Sequence, residues 1–326
     1  MDEHLSSPLG DRLPLARARV DRDDVHRGEP DLIEHLFISP KTRLLLQNRD
    51  TTLVAPTPTG DLALDLREPA RLALRPASST LVPLYLGRTL TDRTNPDGRI
   101  DPAGTAVVAI QVDDFEAQEI EPNQCRWEQL TEVAGQLDDL DAGLFTEALA
   151  LRNFHQSHRF SPRTGEPLIS TSGGWVLQER ESRGSVFPRT DTAVIVLITD
   201  ADDRILLGAN RNWSPRRYSL LAGFVEPGES FEHAAAREVL EESGARIVDA
   251  QYVGSQPWPF PASLMVGFRA RLHPDHDPND IRPDNVEIAD VRWFSRDDIA
   301  AHPEYLPGRN SIARAMIEDW YGRTIG

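Results

Sequence analysis

Three glutamates in one short stretch constrain this chain more than any other feature. Within residues 223–245, GFVEPGESFEHAAAREVLEESGA, Glu238, Glu241 and Glu242 stand at i, i+3 and i+4, the spacing that brings side chains to one face of a helix. Like charges so placed destabilise an isolated helix, so the arrangement costs stability unless a cation is shared among them. The plainer alternative is a solvated acidic face that binds nothing. Ser230 is placed to cap a helix running from about Phe231 to Ser243, and Gly244 to end it. Ala235, Val239 and Leu240 are then expected to face a sheet, with the three carboxylates turned toward the loop that contains Gly223.

The rest of the chain bounds what that helix belongs to. At 326 residues the sequence suits two domains better than one core. Its net charge of -17 disfavours a broad electrostatic grip on nucleic acid or on an anionic membrane, so any RNA contact has to be local. A single cysteine, Cys125, leaves no intramolecular disulfide and no multi-cysteine metal site. The beginning of the sequence has no apolar signal core, and no run approaches the roughly eighteen apolar residues of a membrane helix. A cytoplasmic location is expected.

Residues 1–29 read as a polar, loosely held tail. Residues 30–153 read as a mainly β domain closed by a helix. Its short apolar runs at 35–39, 42–46, 52–55, 62–66, 81–87 and 106–112 are strand-length and separated by turn-formers, and Leu144, Ala148, Leu149, Ala150 and Leu151 form the closing helix's apolar side, ending near Asn153 and Phe154. Residues 154–187, rich in Gly, Pro and Ser, form a connector. From 188 to 326 the order is strand, strand, loop, acidic helix, two strands, an acidic Pro-rich loop, a strand and two helices near 295–301 and 310–322. This order gives an α-β-α sandwich, or α+β class.

The spacing of Gly223, Glu229, Arg237-Glu238, Val239, Glu241-Glu242 and Gly244 is similar to the full signature of the Nudix hydrolases, with Ala245 smaller than the usual branched residue that follows. That resemblance implies a hydrolase of pyrophosphate bonds. Divalent cations held by oxygen ligands would neutralise phosphate charge and activate water. It assigns Glu238 and Glu242 as principal ligands of Mg²⁺ or Mn²⁺, Glu241 as their assistant, and the backbone carbonyl of Ala222 as a further ligand. It also pairs Arg237 with Glu229 structurally.

A second motif narrows the substrate. SQPWPFPAS, which begins eleven residues after Gly244, resembles without a gap the motif of the NADH pyrophosphatase branch of that family. The residues alone allow a packing corner or a preorganised slot for a flat base. The resemblance selects the slot and assigns substrate contacts to Gln256, Pro257, Trp258, Pro259, Phe260, Pro261, Ala262 and Ser263. It further adds Glu287, six residues before Trp293, to the metal carboxylates, and Phe187, Phe224 and Ala313 to the dinucleotide site. The expected reaction cleaves NADH or NAD⁺ into NMN(H) and AMP and removes NAD caps from RNA 5′ ends, in a homodimer with no membrane partner. The alternatives are a Nudix hydrolase of ADP-ribose or diadenosine polyphosphates, and a dinucleotide-binding sensor without catalysis.

One departure from the branch lies in the connector. Where many members carry two zinc-binding C-x-x-C pairs, this chain has Ser161, Thr164, Glu179 and Ser182. Hydroxyls are poor zinc ligands, and His155 and His158 are too few to replace the thiols. The connector is therefore expected to be a zinc-ribbon-like module that keeps its shape without zinc.

Overall fold

A computed structural model describes residues 7–17, 19–71, 82–214 and 216–326. The chain divides into two compact units. One contains residues 7–16, Thr190–Trp258 and Ser263–Gly326; the other contains the described residues of Arg17–Arg189 together with Pro259–Ala262.

The unit bearing the acidic helix is built on a six-stranded sheet. Its strand order is Ile247–Trp258, Ser263–Leu272, Asp191–Thr199, Ile205–Asn210, Ile288–Phe294, and Leu221–Phe224 pairs with Asp191–Thr199 beside that path. Asp191–Thr199 and Ser263–Leu272 run parallel, whereas the other pairs are antiparallel. The near-continuous apolar run at 192–199 is explained by two covered faces. Val194, Val196 and Ile198 pack with Ala234, Ala235 and Val239 of the acidic helix, while Ile195 and Leu197 pack with Ile312, Met316 and Ile317 of the helix Ile312–Tyr321. Helix, sheet and helix make the expected three layers.

Two expectations fail in this unit. Leu240 does not face the sheet but stands 49% exposed, because it lies about 140° round the helix axis from Ala235; Ala234 fills the apolar stripe instead. Residues 7–16 are not loosely held. Leu9 and Leu13 are buried in the core beside the helix Ile312–Tyr321, and the Leu9 amide donates to the Val253 carbonyl at 3.1 Å. Two short 3-10 turns, Gly10–Arg12 and Pro14–Ala16, set the spacing of these leucines. Of the rest of the expected tail, residues 1–6 and 18 lie outside the described residues, and Val20–Asp21 is a short strand paired with Leu84–Thr89 in the other unit.

The other unit carries a seven-stranded, mostly antiparallel sheet, with one parallel pair between Thr42–Asn48 and Ala106–Gln111. Four of the six expected runs coincide with strands at Thr42–Asn48, Thr51–Pro56, Leu62–Leu64 and Ala106–Gln111. The run at 81–87 contributes Leu84–Thr89, with Leu81 outside the described residues. The run at 35–39 is instead part of a helix, Leu32–Ile38, because Leu32 and Leu36, four residues apart, are its buried side chains. The closing helix spans Asp139–Ser157, one turn longer than expected, and Ala150 is exposed rather than on its buried side.

In the connector, Leu168–Thr171, Val176–Glu179 and Ser185–Val186 form a three-stranded sheet. The four positions that stand in for zinc ligands meet at one carboxylate. Glu179, 1% exposed, accepts hydrogen bonds from Ser161 Oγ at 2.5 Å, Thr164 Oγ1 at 2.9 Å and Ser182 Oγ, while Arg163 donates to it at 3.0 Å. These donors, the Ser161 and Ser182 hydroxyls foremost, hold the Glu179 carboxyl down at about 2. His155 takes no part and bonds the Gly174 carbonyl at 2.7 Å.

Glu179→Gln is expected to lower the melting temperature by several degrees at neutral pH. The Glu179 pKa is depressed on folding, so its contribution is fully present above the ordinary carboxylate value of 4.5 and fades as pH falls toward about 2. Melting curves of wild type and variant should therefore converge over that acid range.

Candidate active site

The acidic helix Phe231–Ser243 is fixed at both ends. Ser230 accepts from the His233 amide, and Gly244 closes the helix with φ 71°, the left-handed conformation that glycine adopts freely. Ala234, Ala235 and Val239 hold it to the sheet, so its carboxylates take three different environments. Glu242 is 5% exposed. The Glu238 side chain is largely covered, and that of Glu241 stands 59% exposed. Glu238 lies against Gly223, where a Cβ would collide with its carboxylate. Glycine at 223 therefore leaves the Glu238 carboxylate its present position, from which a Cβ would displace it.

Arg237 organises this end of the helix. It donates to both oxygens of Glu229, at 2.7 and 2.9 Å, and to Glu238, Glu241 and the Phe224 carbonyl, each at 2.9 Å. The bidentate pair links the loop to the helix, and the Arg237 guanidinium holds the Glu229 carboxyl down at about 2. The structural pairing expected from the sequence is formed.

Glu242 receives no help from Arg237. Burial, followed by repulsion from Glu287 and Glu238, pushes its carboxyl up to about 8; burial also raises Glu238. One oxygen of Glu242 is buried without a hydrogen-bond partner. Glu287 comes from the turn before the strand Ile288–Phe294, where Asp284 accepts from the amides of Val286, Glu287 and Ile288. Asn210 Nδ2 donates to the Glu287 carboxylate at 3.3 Å. The described residues contain no group of three or more acidic, His or Cys side chains already gathered about one point. The donor chemistry nevertheless fits a hard divalent cation: a partnerless carboxylate oxygen on a repelled, buried glutamate is stabilised by positive charge.

Glu242 and Glu287 open into a cavity of about 220 Å³ whose apolar wall includes Ile195, Leu221, Trp258 and Met265. Ala222 and Ala313 also line it.

The NUDIX domain family matches residues 189–315, and the NADH pyrophosphatase-like rudimentary NUDIX domain family matches residues 35–153. A protein of Stutzerimonas stutzeri named NAD-capped RNA hydrolase NudC is 39% identical over 201 residues, covering 62% of this chain and 70% of that protein. The chain belongs to the Nudix family. A Mycobacterium bovis protein of the same name is 43% identical over 196 residues, covering 56% of this chain. The chain spans 62% of the length of that relative. A crystal structure of a Nudix hydrolase from Nitrosomonas europaea covers 51% of this chain at 22% identity, with a TM-score of 0.40.

The substrate residues expected for this Nudix chain divide sharply. Trp258 and Ala313 face the cavity. Gln256 does not line it: fully buried, it donates to the Asn310 carbonyl at 3.0 Å and accepts from the Ile312 amide at 2.7 Å, bracing the start of the last helix. Pro257 lies in the strand Ile247–Trp258, at the sheet edge where a missing amide is tolerated. Pro259, Phe260, Pro261 and Ala262 form the turn before Ser263 and group with the other unit, where Asn153 Nδ2 donates to the carbonyls of Pro259 and Pro261. Phe187 also belongs to that unit and is 63% exposed; Phe224 is 59% exposed.

The sequence reading missed Asn210, Asp284 and Trp213, although the Asp284-Asn285 pair is a turn signal. Trp213 lines the cavity.

A pH titration tests the strain on Glu242. Its pKa is raised on folding, so metal-free wild type should lose stability relative to Glu242→Gln as pH rises from 4.5 through about 8. Melting curves should show that gap opening, and a divalent cation should close it.

Proposed function

We propose that this chain hydrolyses the diphosphate bond of NADH and NAD⁺, giving NMN(H) and AMP, and removes the NAD cap from RNA 5′ ends. The observation that carries the reading is the buried, partnerless carboxylate oxygen of Glu242, set beside Glu287 at the wall of an apolar cavity. A dinucleotide needs both parts: charge compensation at its diphosphate and an apolar place for a flat base. The relatives named NAD-capped RNA hydrolase NudC support the substrate.

Glu238, Glu242 and Glu287 would hold Mg²⁺ or Mn²⁺, with Glu241 and the Ala222 carbonyl completing the site. Such ions supply Lewis-acid stabilisation of phosphate charge and an activated water. Ile195, Trp258, Met265 and Ala313 exclude water from the bound base, and Asn210 and Asp284 orient Glu287. In the connector, the hydroxyl donors around Glu179 support a module without zinc.

Phe187 and Phe224 are large apolar side chains exposed in a single chain. Their exposure supports a homodimer in which each is covered, and their expected role is to sandwich the nicotinamide. We read the enzyme as cytoplasmic; among the described residues no helix is long and apolar enough to cross a membrane.

AMP release from NADH, followed with Mg²⁺ or Mn²⁺ and again with EDTA, is the direct test. Wild type should release AMP only with metal. Glu242→Gln should lower kcat by at least about a hundredfold while NADH binding stays measurable. Faster turnover of ADP-ribose than of NADH would reject the substrate, and NADH binding without AMP release would make the protein a sensor.

A further inference from the structure

We infer that the loop following the strand Ile205–Asn210 holds the first nucleotides of an RNA strand attached to the dinucleotide. This inference rests on the decapping reading above and assigns that activity its RNA contacts. The chain is strongly acidic, with a net charge of -17, yet Arg211, Arg216 and Arg217 fall within seven consecutive residues. Among the described residues none of the three is in an ion pair, whereas many of the other arginines are. Arg211 and Arg216 act only at longer range on Asp284 and Glu304, so much of the loop's positive charge is available to an anion.

The loop is anchored to the backbone of the turn that carries Glu287. The Arg211 amide donates to the Glu287 carbonyl at 2.9 Å, its guanidinium donates to the Asn285 carbonyl, and the Trp213 amide donates to the Asn210 carbonyl at 3.1 Å. Trp213 lines the cavity that Glu242 and Glu287 share, and remains 41% exposed. The Arg217 guanidinium lies 5.5 Å from the centre of the Trp213 ring. An exposed indole beside a guanidinium is a platform on which any base stacks, and the neighbouring arginines suit the phosphates on either side of that base.

The chemistry of the ligand separates this surface from the dinucleotide site. NADH ends at its adenosine, so it offers the loop no phosphodiester. NAD-capped RNA continues from that adenosine through a chain of phosphates, and its contacts with Arg216 and Arg217 would be independent of sequence. The loop thus distinguishes capped RNA from free dinucleotide by charge and stacking.

The double variant Arg216→Glu, Arg217→Glu tests this on the full chain, with NADH and a short single-stranded NAD-capped RNA assayed side by side at low and raised salt. NADH turnover should stay within about twofold, which also reports correct folding. The kcat/KM for capped RNA should fall roughly tenfold or more, and its salt dependence should flatten. Equal effects on both substrates, or none on capped RNA, would overturn the inference while leaving the hydrolase reading intact. Wild type that cleaves neither substrate would remove both. In the Glu242→Gln background, Trp213→Ala should weaken capped-RNA binding about tenfold; unchanged affinity would overturn the stacking platform.

Discussion

The two-pronged contact between Arg237 and Glu229 is the interaction on which the candidate site depends. It ties the loop after Gly223 to the acidic helix, and it leaves the guanidinium's remaining donors for Glu238, Glu241 and the Phe224 carbonyl. One cation thereby eases the repulsion between Glu238 and Glu241, two of the three carboxylates on adjacent turns. Glu242, buried and beyond its reach, keeps the full desolvation penalty. The negative charge is divided: Glu229 is held firmly ionised by Arg237, Glu238 is contacted by it yet still disfavoured by burial, and Glu242 has no cation within the protein.

The sheet places that uncompensated group. Alternation along Asp191–Thr199 sends Val194, Val196 and Ile198 toward the acidic helix and Ile195 and Leu197 toward the last helix. Leu221–Phe224 pairs alongside it, with Ala222 opposite Ile195. The wall of the cavity is thus continuous with the hydrophobic core, and its rigidity is that of the core. Glu287 comes from a different source, a short turn held by Asp284 and by the amide of Asn210. One carboxylate is set by a helix and the other by a loop.

Much of this was legible in the sequence. The helix limits, its caps and the layer order follow from local spacing and hydrophobic period, which are written into consecutive residues, whereas the Arg237–Glu229 pair is implied only by the Nudix resemblance. Leu240 and residues 35–39 were misjudged because apolar character was read without its angular position. The buried leucines near the N-terminus were overlooked because Leu9 and Leu13 are sparse among polar neighbours. Gln256 was assigned to the ligand, yet its amide bridges two segments more than fifty residues apart. Such long-range bracing leaves no local trace. The contribution of Asn210 to Glu287, across 77 residues, is hidden for the same reason.

The connector shows what a chain gains when a carboxylate takes the centre of a module that resembles a metal site. Thiolate ligands are open to oxidation to sulfenic acids and disulfides, and a domain held by them is lost when they react. Glu179 and its three hydroxyl donors contain no oxidisable atom, and the only thiol in the sequence, Cys125, lies elsewhere. Oxidative conditions that would attack the thiolates of a four-cysteine ribbon find no thiol among the four side chains that meet at Glu179.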